Sequence, residues 1–153
     1  MTQKINDFEK KYNVHLVSKN KSWLMRFVGL FSKKFMTKFW TTFRIPFCKP
    51  TISYPSNITD PMNLKYEPTR EHELIHVEYI KSSYGLFKAF CLYFLFPLPI
   101  LFSGRWFIEF PAYLHNIKNH GYDIEKVVNT LWTNYLWCWP KSLMRKKFYK
   151  YIK

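Results

Sequence analysis

Five consecutive residues carry the clearest chemical signal in this sequence of 153 residues. Residues 72–76 read His-Glu-Leu-Ile-His, which is the HExxH pattern. Side chains four residues apart share a helix face, so the imidazoles of His72 and His76 can reach one metal ion. Glu73 stands beside the first ligand, where its carboxylate can take a proton from zinc-activated water. The pattern predicts a catalytic zinc ion (Zn²⁺) bound by His72 and His76, with Glu73 as general base. The alternative is two ordinary histidines on a helix surface.

A catalytic zinc ion needs a third protein ligand, and Glu109 is the best candidate in the sequence. It lies in an apolar segment, where a carboxylate is expensive to bury unless something compensates its charge. Zinc would compensate it, and so would an ion pair with Arg105, four residues earlier. His115 and His120 are rival ligands, although His115 falls on a different helix face from Glu109.

Two tyrosines are candidates for stabilising the oxyanion that forms during hydrolysis, which requires a hydrogen-bond donor near the metal. Tyr113 follows Glu109 by one helical turn, and Tyr79 follows the HExxH motif. The alternative, which the sequence favours for each tyrosine, is a residue of the hydrophobic core. Tyr79 and Ser82 also exclude the metzincin subclass, which has Gly and His at these two positions.

The elements that position these residues are predicted to be helices. One helix should run from about Pro68 to Ser83, because proline suits the first turn of a helix. A second should run from Gly104 to Asn119 and carry Glu109. The fold prediction is mostly α (α+β), with a zincin-like helical core, an HExxH active-site helix and a Glu-bearing second helix.

Outside these two helices, the pattern predicts further helices and one or two short edge strands. Residues 51–54 alternate in the manner of a strand, and an edge strand there could align an extended peptide. Helices are predicted over residues 2–13 and 23–43 and after Asp123.

The net charge of +14 is concentrated at the two ends of the chain. Residues 1–50 hold 11 Lys/Arg and 2 acids, residues 51–120 hold 6 of each, and residues 121–153 hold 7 and 2. The charge therefore predicts a basic helical arm (1–50) and a basic tail (141–153). The HExxH motif lies between them, and residues 51–140 are expected to form a zincin-like metal-binding domain.

The basic ends could bind an anionic partner, whether nucleic acid, a lipid surface or an acidic protein. The alternative is a solvated basic face that keeps the protein soluble. The candidate anion-binding residues are Lys33, Lys34, Lys38, Arg145, Lys146 and Lys147.

No apolar segment follows the polar amino terminus, so a secretory signal peptide is not expected. The most apolar stretch, residues 86–102, is shorter than a bilayer span and contains Pro97 and Pro99. It suits a buried helical hairpin or a peripheral membrane contact better than a full transmembrane span. The expected location is cytoplasmic or virion-associated.

The chain resembles small gluzincin-type HExxH proteins of phages and bacteria over roughly residues 65–140. The resemblance rests on HELIH, on the Phe-Pro-Leu-Pro interruption at 96–99 and on Glu109-x-x-Ala-Tyr. It implies zinc bound by His72, His76 and Glu109, with Glu73 as base and Ala112 as the small residue at a close helix approach. The chain departs from the family at Tyr79, where members often carry Gln, and at Pro111.

These observations predict a zinc-dependent metallopeptidase that hydrolyses peptide bonds in a peptide or protein substrate. The alternative is a catalytically inactive zincin-fold structural or interaction protein, such as a virion or membrane-associated component. In that case the basic ends would dock on anionic partners.

Overall fold

The computed structural model describes residues 2–30, 33–82, 85, 87–88, 104–134 and 140–152, without the side chains of 33, 104, 105 and 134. The described residues are mostly helical and include a three-stranded sheet, which confirms the prediction of a mostly α fold. The chain divides into two compact units, Met1–Lys81 and Ser82–Lys153.

The described part of the first unit contains four α-helices and the sheet. In chain order its elements are α1 (Thr2–Tyr12), β1 (His15–Ser18), α2 (Trp23–Gly29), α3 (Lys33–Lys38), β2 (Thr41–Phe43), β3 (Thr51–Tyr54) and α4 (Glu67–Ile80). Single 3₁₀ turns lie at Lys19–Lys21 and Leu64–Tyr66. Strand β1 comes from the predicted arm and β3 from the predicted middle domain, and both belong to this unit.

The prediction of one helix over residues 23–43 is wrong, because this segment forms two short helices and a strand. Residues 41–43 are β-branched or aromatic, and their backbone pairs antiparallel with β3, with Thr42 opposite Ile52. The pairing satisfies backbone groups that a longer helix would otherwise have satisfied.

Strand β3 is the central strand of the sheet, so the prediction that residues 51–54 form an edge strand is also wrong. The strand order is β1-β3-β2, with β1 parallel and β2 antiparallel to β3. Leu16 of β1 and Ile52 of β3 point toward the core of the unit, where they pack with Phe8, Val14 and Val77. In the described sheet, β1 and β2 are therefore the edges.

The start of α4 is held by a buried arginine. Arg70 donates hydrogen bonds from Nη1 to the carbonyl oxygens of Pro61 (2.8 Å) and Asn63 (2.9 Å). Pro68 occupies the first turn of the helix, where the absence of an amide hydrogen costs little. These contacts connect the turn before α4 to the helix that carries the HExxH residues.

The second unit contains α5 (Gly104–His120), α6 (Ile124–Asn134) and α7 (Lys141–Ile152). Helix α5 continues through Pro111 and ends at His120, directly before Gly121, whose φ is 65°. The side chain of Asp123 caps α6 by accepting from the Lys126 amide (2.8 Å), as predicted. Among the described residues of this unit, the core contains Trp106, Ile117, Val127, Val128, Leu131, Met144 and Phe148.

Apart from Phe87 and Lys88, the apolar stretch at 86–102 lies outside the described residues, and so do the predictions made for it. Within the described residues, no helix combines the length and apolar character needed to span a bilayer.

Candidate metal centre

His72 and His76 lie one turn apart on α4 and bring their ring nitrogens together. Both side chains are buried, and their Nε2 atoms are 3.2 Å apart with the ring planes 85° to each other. In a tetrahedral site, two nitrogens at the usual zinc distance lie about 3.3 Å apart. The histidine pair therefore fits two positions of one zinc ion.

Glu73 lies next to this pair and is held by a threonine from the sheet. Its side chain is buried, and Oε2 accepts a 2.7 Å hydrogen bond from Thr42 Oγ1. The same hydroxyl is 3.3 Å from the Glu73 carbonyl oxygen. The hydrogen bond fixes one carboxylate oxygen to strand β2.

Thr42 is a residue that the sequence pattern does not reveal, because the pattern places it inside a helix. The available signal is the β propensity of Thr41-Thr42-Phe43. Even with the strand recognised, its contact with Glu73 joins residues 31 positions apart. Local periodicity carries no information at that separation.

Lys19 is the second residue that the sequence pattern does not reveal. Its side chain is fully buried, and Nζ donates to the Phe35 carbonyl oxygen (2.6 Å) and lies 3.5 Å from the centre of the Phe35 ring. Desolvation lowers the pKa of Lys19 to about 8, and the negative charge of Glu73 partly opposes this shift. Lys19 is thus electrostatically coupled to the predicted general base.

Glu109 lies on α5 in the second unit and is only 3% exposed. It shares a helix face with Ala112 and Asn116, both of which are also buried. Side chains that could hold a metal ion therefore occur in both units: His72 and His76 in the first, Glu109 in the second. The competing ion pair with Arg105 stays a prediction, because that side chain lies outside the described ones.

The rival ligands His115 and His120 are half-buried near the carboxyl end of α5. Their ring centres are 6.0 Å apart, and a His115 ring nitrogen lies 2.9 Å from Asn119 Nδ2. Of the two candidate oxyanion donors, Tyr79 is half-buried on α4 and Tyr113 packs against the core of the second unit. Their catalytic role stays a prediction.

The candidate anion-binding residues have different surroundings. Arg145 makes a two-pronged ion pair with Glu125 (2.6 and 2.8 Å), and this hydrogen bonding lowers the pKa of Glu125 and raises that of Arg145. The side chain of Lys33 is outside the described ones, and Lys147 is half-buried with its ammonium 5.8 Å from the Tyr151 ring centre. The exposed lysines of the set are Lys34, Lys38 and Lys146.

Comparison with protein-family models, curated proteins and solved structures gave no match for this chain. The resemblance to gluzincin-type proteins therefore stays a prediction from the motif.

Proposed function

We propose that this protein is a zinc-dependent metallopeptidase. The observation that carries the proposal is the buried His72–His76 pair, whose Nε2 atoms stand 3.2 Å apart beside a carboxylate that is held by a hydrogen bond. Zinc hydrolases use imidazole ligands together with a general base beside the metal. A pair of surface histidines needs neither burial nor an oriented neighbouring carboxylate.

The proposed zinc ligands are His72, His76 and Glu109. Glu109 is supported by its burial on an otherwise largely apolar helix, since a buried carboxylate requires a compensating charge. When bound, zinc supplies Lewis acidity, which polarises a carbonyl oxygen and lowers the pKa of water.

The protein's own groups would handle the proton. Because Glu73 Oε2 accepts the Thr42 hydroxyl, Oε1 is the oxygen that we expect to take a proton from the attacking water. The same oxygen would then deliver the proton to the departing amine. Thr42 would act as a positioning residue that keeps the carboxylate from rotating.

An edge strand beside the site would align the substrate. Strand β2 carries Thr42, packs against α4 and is an edge of the described sheet. An extended peptide could therefore add to β2 by backbone hydrogen bonding. In this proposal, residues 41–43 take the substrate-aligning role that the sequence pattern gave to residues 51–54.

The ligand set is tested by measuring bound zinc with elemental mass spectrometry after purification in zinc-containing buffer. We expect one zinc ion per chain in the wild type. His72→Ala and Glu109→Ala should each weaken zinc binding by at least about 100-fold, a larger loss than outer-shell changes usually cause. His115→Ala tests the rival ligand and should keep its zinc. His15→Ala, at an exposed position of β1, is the matched control and should also keep its zinc.

The reaction is tested with Glu73→Gln, assayed on a mixture of fluorogenic peptides. This variant should keep zinc and lose about 10²–10⁴-fold in hydrolysis. Full activity in Glu73→Gln, or a wild type without zinc, would refute the metallopeptidase proposal. If Glu109→Ala kept its zinc and His115→Ala lost it, His115 rather than Glu109 would be the third ligand. A wild type that holds zinc yet cleaves no peptide would favour the inactive structural protein.

A further inference from the structure

The first unit exposes a group of large apolar side chains, which we call the docking patch. Trp23 and Phe27 lie on α2, and Leu30 directly follows this helix. Ile45 and Phe47 lie on the turn between β2 and β3. Their exposed fractions run from 44% for Ile45 to 103% for Phe47. Groups of exposed apolar side chains are typical of interaction surfaces.

The α2 part of the patch is a stripe along one side of the helix. Trp23, Phe27 and Leu30 have the i, i+4, i+7 spacing of a single face, and Arg26 is exposed beside them. The opposite side buries Met25, which is 3% exposed. The helix is thus apolar on its inner side and again on its outer side.

Phe47 is presented to solvent by a strained turn. Its φ is 67°, a conformation that is rare for a bulky residue. The turn is closed by hydrogen bonds from the Cys48 amide to the Ile45 carbonyl oxygen (3.0 Å) and from Arg44 Nε to the Cys48 carbonyl oxygen (3.0 Å). Strain that exposes an aromatic ring is a feature of binding segments.

A cavity connects the two parts of the patch. It has a volume of about 240 Å³ and is lined by Trp23 of α2 and Ile45 of the turn. Val17, Leu24 and Phe43 contribute apolar walls, and Lys21 contributes a positive charge. Trp23 and Ile45 therefore line a common recess that has several apolar walls and one cation.

The segments that carry the patch contain charged residues of one sign only. Residues 10–59 contain ten Lys/Arg and no Asp/Glu. Lys21, Arg26 and Lys49 are exposed and belong to the same segments as the patch residues. A surface that combines exposed Trp, Phe and Leu with cations suits the headgroup region of an anionic membrane.

We propose that the docking patch binds the surface of membranes that contain anionic phospholipids. The five apolar side chains enter the headgroup region, and Lys21, Arg26 and Lys49 contact lipid phosphates. Leu30 and Ile45 favour lipid over nucleic acid, since an aliphatic side chain offers no ring on which a base can stack. The proposal is independent of zinc and of peptide hydrolysis.

The test is cosedimentation of the full chain with vesicles of phosphatidylcholine alone or mixed with phosphatidylserine. The wild type should bind the mixed vesicles and not the neutral ones. Phe47→Asn, which tolerates the positive φ, should weaken binding about tenfold, the scale expected for removing one inserted aromatic ring. Leu143→Asn is its control on α7, where the leucine is 44% exposed.

The electrostatic part is tested with Arg26→Gln, which should weaken binding about fivefold, as expected for one charge near an anionic surface. Lys118→Gln, at an exposed position of α5, is the matched control and should bind as the wild type does. Each variant is checked for an unchanged circular dichroism spectrum.

Three outcomes of the vesicle experiments would overturn the proposal. The first is equal binding to neutral and anionic vesicles, and the second is no binding at all. The third is wild-type affinity in both Phe47→Asn and Arg26→Gln, which would place the lipid contact elsewhere in the chain. Tighter binding of the wild type to an oligonucleotide than to anionic vesicles would assign the patch to nucleic acid instead.

Discussion

The buried lysine Lys19 predicts an unusual dependence of stability on pH. Its pKa is about 8 in the folded protein, against an ordinary value of 10.5. Below pH 8 the lysine is protonated in both the folded and the unfolded state, so burial of its charge lowers the free energy of unfolding by the full amount. Between the two pKa values the unfolded state binds more protons, and the free energy of unfolding therefore rises with pH.

The size of this rise follows from the two pKa values. For one group with these values, the free energy of unfolding increases by about 2 kcal/mol between about pH 7 and pH 9.5. Lys19→Met keeps a side chain of similar length and removes the titrating group. The difference in unfolding free energy between the wild type and Lys19→Met should therefore shift by about 2 kcal/mol over this range, in favour of the wild type.

The assay is urea denaturation of both proteins, followed by tryptophan fluorescence, at the two pH values. Subtracting the variant cancels the titration of all other lysines. A difference that stays constant with pH would refute the reasoning, because it would mean that Lys19 keeps its ordinary pKa. Glu73→Gln adds a second check, since losing that negative charge should lower the pKa of Lys19 further.

Two further predictions concern one hydrogen bond and one core residue. Thr42→Val should retain zinc and slow peptide hydrolysis by about tenfold, because the Glu73 carboxylate loses the hydrogen bond that the Thr42 hydroxyl donates to it. The exposed Thr59→Val is the control, and equal rates in the two variants would contradict the positioning role. Phe148→Ala should lower the unfolding free energy by about 3–5 kcal/mol, since Phe148 is fully buried in the core of the second unit. The neighbouring Tyr149→Ala, at a 51% exposed position, should cost less than about 1 kcal/mol in the same urea titration, and similar losses would count against this core assignment.

The contacts that local spacing controls could be predicted from the sequence. The four-residue separation of His72 and His76 places both imidazoles on one face of any α-helix that contains them, and the 3.2 Å approach follows from that geometry. The cap at Asp123 and the helix end at Gly121 are local for the same reason. Such features depend on neighbours within one or two turns.

The segment from Trp23 to Phe43 shows where local reasoning fails. Apolar residues recur at helical spacing over most of it, and its first part is indeed helical. Residues 41–43 form a strand because their backbone pairs with β3, and helical periodicity gives no information about that pairing. The same pairing makes β3 central and leaves β2 at the edge.

The histidine pair follows from local spacing alone, because a helix holds residues four positions apart at nearly constant geometry. The hydrogen bond from Thr42 to Glu73 and the desolvation of Lys19 arise only in the folded chain. The first contact joins residues 31 positions apart, and the second effect is a desolvation produced by every group packed around one ammonium. Hydrogen bonds across such separations, and burial itself, exist only after the chain has folded.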